Sequence, residues 1–188
     1  MSVRILGISG SLRRGSHNCA LLHAASAALP PGVELERFDG LPAVPPYDED
    51  RDVEPAPVAV RHLRQAIATA DAVLFATPEY NASVPGQLKN ALDWASRPFP
   101  DNALRGMPVA VLGASTSMFG AVWAQAELRR ILGAIGARVI DAELPVAAAH
   151  EAFDSDGRLV EPGHRDGLTE IVNALVEQAR VPRRDLAA

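Results

Sequence analysis

The stretch Thr77–Pro98, TPEYNASVPGQLKNALDWASRP, decides how this chain folds. Just ahead of it, Ala72-Val73-Leu74-Phe75-Ala76 is an uninterrupted apolar run of the length of a buried parallel strand. Pro78 has no backbone N–H and ends regular pairing there. Glu79, Tyr80 and Asn81 follow, so polar and aromatic groups stand at the carboxyl end of a core strand. Pro85-Gly86 makes a turn, after which Leu88, Leu92 and Ala95 recur at helical spacing. In an open α/β sheet, ligands bind in the crevice beyond the carboxyl ends of the strands. A loop this rich in Pro, Tyr, Asn and Ser is costly to order for architecture alone, and it reads as one wall of such a crevice.

Working outward, the same grammar recurs. Val3–Ser9 is an apolar strand, followed by GSLRRGSHN (residues 10–18) and a helix over Ala20–Leu29 that Pro30-Pro31-Gly32 stops. The incoming helix turns its unpaired N–H groups and positive dipole end toward the loop. Ser11, Ser16 and Asn18 add neutral donors, and Arg13 adds a fixed cationic fork. Together they make an anion cradle, most simply for a phosphate. The loop is neither a P-loop, lacking Gly-Lys-Ser/Thr, nor a GxGxxG dinucleotide turn. A plainer alternative stays open, in which Ser16 or Asn18 is the cap of the helix.

Further along, Val33–Phe38 is a second strand. Gly40–Pro57 is a Pro-rich loop that either covers part of the site or lies solvated on the surface. Val58–Ala70 is a helix with Val60, Leu63 and Ile67 on one stripe. Pro108–Gly113 is a fourth strand; ASTSMFG (114–120) and a helix over Ala121–Leu132 follow it. In that loop Ser115 or Thr116 either caps the helix or meets an electron-rich ligand edge. Ala137–Ala142 reads as a short fifth strand, Asp154-Ser155-Asp156-Gly157 as a turn, and Leu168–Ala179 as a last amphipathic helix before a frayed tail from Arg180. Strands alternating with helices, with no linker or repeat, give one α/β domain over residues 1–188.

Bulk properties narrow the partners. Of 188 residues, 48% are apolar, enough for a full-sized core in one domain. A formal net charge of -5 argues against nucleic acid and anionic membranes as partners. No run spans a bilayer, and MSVRILGIS reads as a strand and not a signal, so the expected location is cytoplasmic. The lone Cys19 excludes an internal disulfide framework and reads as packing.

Several chemistries are missing. The five histidines fall at no metal-ligand spacing, and no G-x-S-x-G elbow surrounds Ser9, Ser11 or Ser115. Glu79 is either a general base or a hydrogen-bonded loop acid. A cradle without nucleophile, base pair or metal suggests a cofactor that brings its own reactivity.

GSLRRGSHN and PEYNASVPGQLKNALDWASRP, taken together, closely resemble the NADPH-dependent FMN reductase family, the flavodoxin-like group that includes chromate, quinone and azo-dye reductases. ASTSMFG and the segment Phe153–Leu159 look like that family's pattern too, so the likeness runs from Val3 to about Ala179. It implies a flavodoxin-like three-layer sandwich with a five-stranded parallel sheet, tightly but non-covalently bound FMN, NADPH or NADH as co-substrate, a small-molecule electron acceptor, and a homodimer or homotetramer. By motif position Ser11, Arg13, Ser16 and Asn18 would hold the FMN phosphate. Pro78, Glu79, Tyr80 and Asn81 would run along the isoalloxazine ring, and Ser115 with Thr116 would meet it from the next strand end. No catalytic side chain or metal is implied. Two positions depart from the pattern: Ser117 stands where relatives commonly have Gly, and His17 where an aromatic is frequent. Trp94 either packs inward or meets a second subunit, and Arg97 either reads a nucleotide phosphate or is a structural or inter-subunit Arg. The expected reaction is ping-pong hydride transfer from nicotinamide through FMN to a quinone, azo dye, flavin or chromate-type acceptor. The alternative is a flavodoxin-like electron carrier with no nicotinamide chemistry of its own.

Overall fold

A computed structural model describes residues 2–181. Its elements run β1 (Val3–Ser9), α1 (His17–Ala27), β2 (Val33–Arg37), α2 (Val58–Thr69), β3 (Ala72–Thr77), α3 (Gly86–Ala95), β4 (Pro108–Ala114), α4 (Val122–Ile135), β5 (Arg138–Val139), β6 (Pro145–Val146) and α5 (Pro162–Ala179). The strands are all parallel in the order β2-β1-β3-β4-β5, with β6 also on β4. This is the flavodoxin-like order, whose switch point lies between β1 and β3.

Strand side chains alternate between two faces, and each face buries its own apolar set. Leu6, Ile8, Val73, Phe75, Val109 and Val111 pack against α2, α3 and α4. On the other face Ile5, Ala72, Leu74, Ala76, Ala110 and Leu112 pack against α1 and α5. β3 and β4 are buried at every position, which is why they read as continuous apolar runs.

The fifth strand departs from the expectation. It pairs only at Arg138 and Val139, continues through one bond from Ile140 N–H to Val109 O, then leaves β4. It returns at Pro145 and Val146 opposite Gly113 and Ala114. The edge is therefore two short strands laid end to end, and the sheet has six strands where five were expected. Helix ends shift for identifiable reasons. Ser16 caps α1, its hydroxyl accepting from Cys19 N–H at 3.2 Å. α5 begins at Pro162, six residues ahead of the expected Leu168, because Glu161 caps it and Pro suits the first helical position. Neither Ser115 nor Thr116 caps α4, which starts after a left-handed Ala121.

The loop after β2 is pinned to α3. Gln87 Nε2 donates to the carbonyls of Leu41 and Val44, while Asn90 Nδ2 and Trp94 Nε1 both donate to Pro45 O. Tyr47 N–H donates back to Asn90 Oδ1. Trp94 is wholly buried in the core, which answers the question of its packing. The tail expected to fray lies, from residue 182 on, outside the described residues. Among the described residues no helix is long and apolar enough to cross a membrane.

Candidate functional site

Three loops meet beyond the carboxyl ends of the adjacent strands β1, β3 and β4. Gly10 brings the first two into contact: its N–H donates to Ala76 O at 2.8 Å, and a Cβ there would fall 2.9 Å from Leu88 Cδ2 and 3.4 Å from Pro78 Cδ. Beyond it, Ser11 N–H donates to Ser9 Oγ and Arg13 N–H to Ser11 Oγ, at 3.3 and 3.4 Å, which curls the loop toward α1. The backbone N–H groups of Gly15, Ser16, His17 and Asn18 find no acceptor among the described residues. Arg13 is exposed and makes no ion pair with any described carboxylate.

The predicted phosphate donors divide on inspection. Ser11, Arg13 and Ser16 stand at the cradle, with Ser16 also serving as helix cap. Asn18 is committed elsewhere: its Nδ2 donates to Ala114 O at 2.9 Å and its Oδ1 accepts from Ala114 N–H at 3.0 Å, both in the interior. It fixes the first loop to the third, and of its side-chain groups the second Nδ2 N–H is the one left for a ligand. His17, first residue of α1, has its pKa held below the ordinary imidazole value by burial, then by the charge of Arg13 and by His150. Three basic groups thus crowd one end of the crevice.

The second loop is a tight two-residue hairpin. Tyr80 and Ser83 exchange backbone bonds of 3.0 and 3.1 Å, and Asn81 and Ala82 between them have φ of 54° and 58°. Left-handed backbone at both central positions is the turn that matches strand twist. Asn tolerates it, but Ala does so at a cost. The hairpin is clasped to α4 from both ends. Glu79 Oε2 accepts from Trp123 and Ala124 N–H at 3.0 and 3.1 Å, capping a helix whose own cap residue supplies no side chain. Glu127 Oε2 in return accepts from Ser83 Oγ at 2.6 Å and Val84 N–H at 3.2 Å. The Ser83 hydrogen bond, with the Val84 N–H, Arg130 and Lys89, holds the Glu127 carboxyl below its ordinary pKa against a smaller desolvation effect. Glu79 is therefore a brace under the hairpin, the loop-acid alternative. Pro78 is buried at its base, Tyr80 and Asn81 are exposed on top.

In the third loop, Ser115 joins β6: its N–H donates to Val146 O and its carbonyl accepts from Ala149 N–H, both at 3.0 Å. Ser115 Oγ accepts from Ser117 N–H at 3.2 Å and lies 3.1 Å from Ser117 Oγ. The Ser117 side chain is thus turned onto Ser115. Thr116 is exposed.

All four non-glycine residues with positive φ among the described residues — Asn81, Ala82, Ala121 and Ala148 — sit on loops beyond the ends of β3, β4 and β6. Local backbone strain persists where surrounding structure over-determines it, and it concentrates at functional sites. A cleft of about 700 Å³ lies elsewhere, between α2 and the 97–103 segment. Its arginines are already engaged: Arg64 with Asp52 and Trp94 O, Arg61 with Ala56 O, and Arg97 with Tyr47 Oη. Concavity alone is thus a poor guide here. Two supports, Glu127 and the fully buried Gln125, leave no local signature, because each acts on backbone distant in the chain.

Unpaired amides and an unpaired guanidinium beyond the strand ends, with a braced turn beside them, fit a phosphate-bearing planar cofactor. The fold and this donor set define a doubly wound domain of the flavin-binding class. Comparison with known proteins agrees. The profile of the NADPH-dependent FMN reductase family matches residues 3–151, and the chain belongs to that family. It is 44% identical to an NAD(P)H-dependent FMN reductase of Pseudomonas aeruginosa, covering 92% of this chain and 93% of the relative. A 2-hydroxy-1,4-benzoquinone reductase of a Burkholderia species is 36% identical over 89% of this chain and 91% of its own. Among solved structures, a flavoenzyme NAD(P)H:(acceptor) oxidoreductase of Paracoccus denitrificans superposes with a TM-score of 0.82 at 34% identity, covering 94% of this chain and 97% of that one. The protein is accordingly an oxidoreductase of flavin and nicotinamide chemistry.

Proposed function

We propose that this protein is an FMN-dependent NAD(P)H:acceptor oxidoreductase that works by a ping-pong mechanism on quinone, azo-dye, flavin or chromate-type acceptors. The observation that carries the reading is the cluster of unpartnered N–H groups at Gly15–Asn18 beside the unpaired Arg13. When bound, FMN supplies a ring that accepts hydride and passes on its electrons. The chain's own residues bind and orient. Arg13, Ser11 and Ser16 with the free amides hold the phosphate. Pro78, Glu79, Tyr80 and Asn81 form the wall along the ring, and Ser115 and Thr116 provide donors at its far edge. Asn18 adds its remaining N–H to the phosphate while keeping that loop in register with Ala114. The quinone-reductase names of relatives, the 2-hydroxy-1,4-benzoquinone reductase among them, support a small-molecule acceptor. Donor and acceptor sharing one slot predicts parallel lines in double-reciprocal initial-rate plots. The working unit in this reading is a homodimer or homotetramer, which sedimentation would measure.

Arg13→Ala tests the reading. It should lower FMN occupancy and raise the FMN Kd about ten-fold or more, the loss expected for a charge-assisted contact, while turnover at saturating FMN changes little. Intact binding with collapsed turnover would count against it. An anaerobic titration with NADPH, then NADH, separates enzyme from carrier. Prompt loss of the visible flavin absorbance supports the enzyme; unchanged colour with both donors supports an electron carrier.

A further inference from the structure

We infer that Phe119 and Trp123 form an aromatic platform beside the crevice that favours planar aromatic acceptors over small inorganic ones. The inference deepens the reading above and rests on it. The chain has nine Phe, Trp and Tyr residues. Among the described residues, three half-exposed large aromatics stand around one opening: Tyr80 at 51% and Phe119 at 50% exposure on loops, and Trp123 at 48% in the first turn of α4. Phe119 and Trp123 are in edge contact, with centroids 4.9 Å apart and planes at 63°. Such a pair offers one ring face and one ring edge to a third flat ring, the offset and edge-on geometries that aromatic contacts prefer.

Rigid placement argues that this exposure is specific. Trp123 N–H is held by Glu79, the residue before Tyr80, so the platform and the hairpin share one brace. Between Phe119 and α4 stand Gly120 and Ala121, both left-handed with φ of 58° and 63°. Gly120 touches the Pro145 backbone so closely that a Cβ would lie 2.4 Å from its carbonyl carbon. The segment is fixed from beneath, while about half of each ring's surface stays exposed. A preorganised aromatic surface binds a planar ring at a reduced ordering cost. A compact oxyanion or hexacyanoferrate has no face to stack and gains nothing from it.

The test uses FMN-saturated enzyme with NADPH and two acceptors. One is 9,10-anthraquinone-2-sulfonate, whose quinone ring has no free carbon for the Cys19 thiol to attack. It takes a hydride equivalent and one proton from water per NADPH, giving the hydroquinone. The other is ferricyanide; two ions are reduced per NADPH and one proton is released. For Trp123→Ala the ratio of kcat/KM for the anthraquinone to that for ferricyanide should fall about 3–10-fold, the range for loss of an aromatic pair, mainly through KM. Trp123→Phe should restore most of it, and Phe119→Ala should act in the same direction. Equilibrium dialysis of the anthraquinone against oxidised, FMN-loaded protein without nicotinamide should show the same rise in Kd for Trp123→Ala. An unchanged ratio, or equal loss with both acceptors, overturns the inference. So does a lower sedimentation mass for Trp123→Ala, which would make the pair a contact between copies. If wild-type protein takes up no FMN, the underlying reading fails. If it binds FMN and is bleached by NADPH but Trp123→Ala keeps its selectivity, only the platform fails.

Discussion

Single atoms decide how the hairpin is held. Glu127 Oε2 takes two donors from Ser83 and Val84, and its pKa lies below the ordinary value of 4.5 because those bonds favour the charged form. In the unfolded chain the carboxyl binds protons more readily. The stability it contributes is therefore fully present above about pH 4.5 and is lost as pH falls through the lowered folded value. Glu127→Gln should be less stable than wild type by about 1 kcal/mol at pH 7, with the difference shrinking as pH drops below the carboxylate range. Urea unfolding at several pH values measures it, and a difference that stayed constant would refute the assignment. Arg13 and Asn18 show the same scale from opposite sides. Both are polar residues of one loop, yet one is unpaired and outward while the other has both ends of its amide on Ala114. Residue type alone did not show which of the two is engaged within the protein.

Elements are positioned by side chains reaching across to foreign backbone. Gln125 on α4 is wholly buried; its Oε1 accepts from Leu144 N–H and its Nε2 donates to Gly120 O. It bridges the third loop and the segment that becomes β6. Gly113 leaves room for it, since a Cβ there would lie 2.7 Å from the Gln125 amide nitrogen. Gln125→Leu preserves the volume but strands a buried donor and a buried acceptor. It should cost about 2–4 kcal/mol, read as a lower urea midpoint at unchanged slope, with faster amide exchange at Ser115. A loss below about 0.5 kcal/mol, the scale of an ordinary surface change, would mean water replaces the bridge. The break between β5 and β6 has its cause here: the side-chain amide takes the Leu144 N–H while the Leu144 carbonyl pairs with Gly113 N–H.

On the scale of the whole molecule, ligand and fold are linked. The three loops come together only when β1, β3 and β4 are side by side, so a ligand that spans them binds the folded chain alone. FMN at one hundred times its Kd should stabilise the protein by about 2.7 kcal/mol. For a chain of this size that raises Tm by about 5–11 °C. Arg13→Ala at the same FMN concentration should show a smaller rise, and an unchanged Tm in wild-type protein would contradict the cofactor assignment.

What the sequence determined by itself was periodic and local. Runs such as Ala72–Thr77 and Pro108–Ala114 announce buried parallel strands because both faces are covered, and Ser16 announces a cap because its hydroxyl acts within one turn. The two signature loops carried the family as well, since their residue types must meet a ligand in a fixed chain order. Tertiary structure alone decided the rest: that Asn18 serves Ala114, that Glu79 caps a helix 44 residues away, that Glu127 and Gln125 matter at all, and that strand five is broken. Each of these is a hydrogen bond between groups far apart in the chain. Its partner is chosen by which backbone groups packing leaves unpaired, and no local pattern encodes that choice.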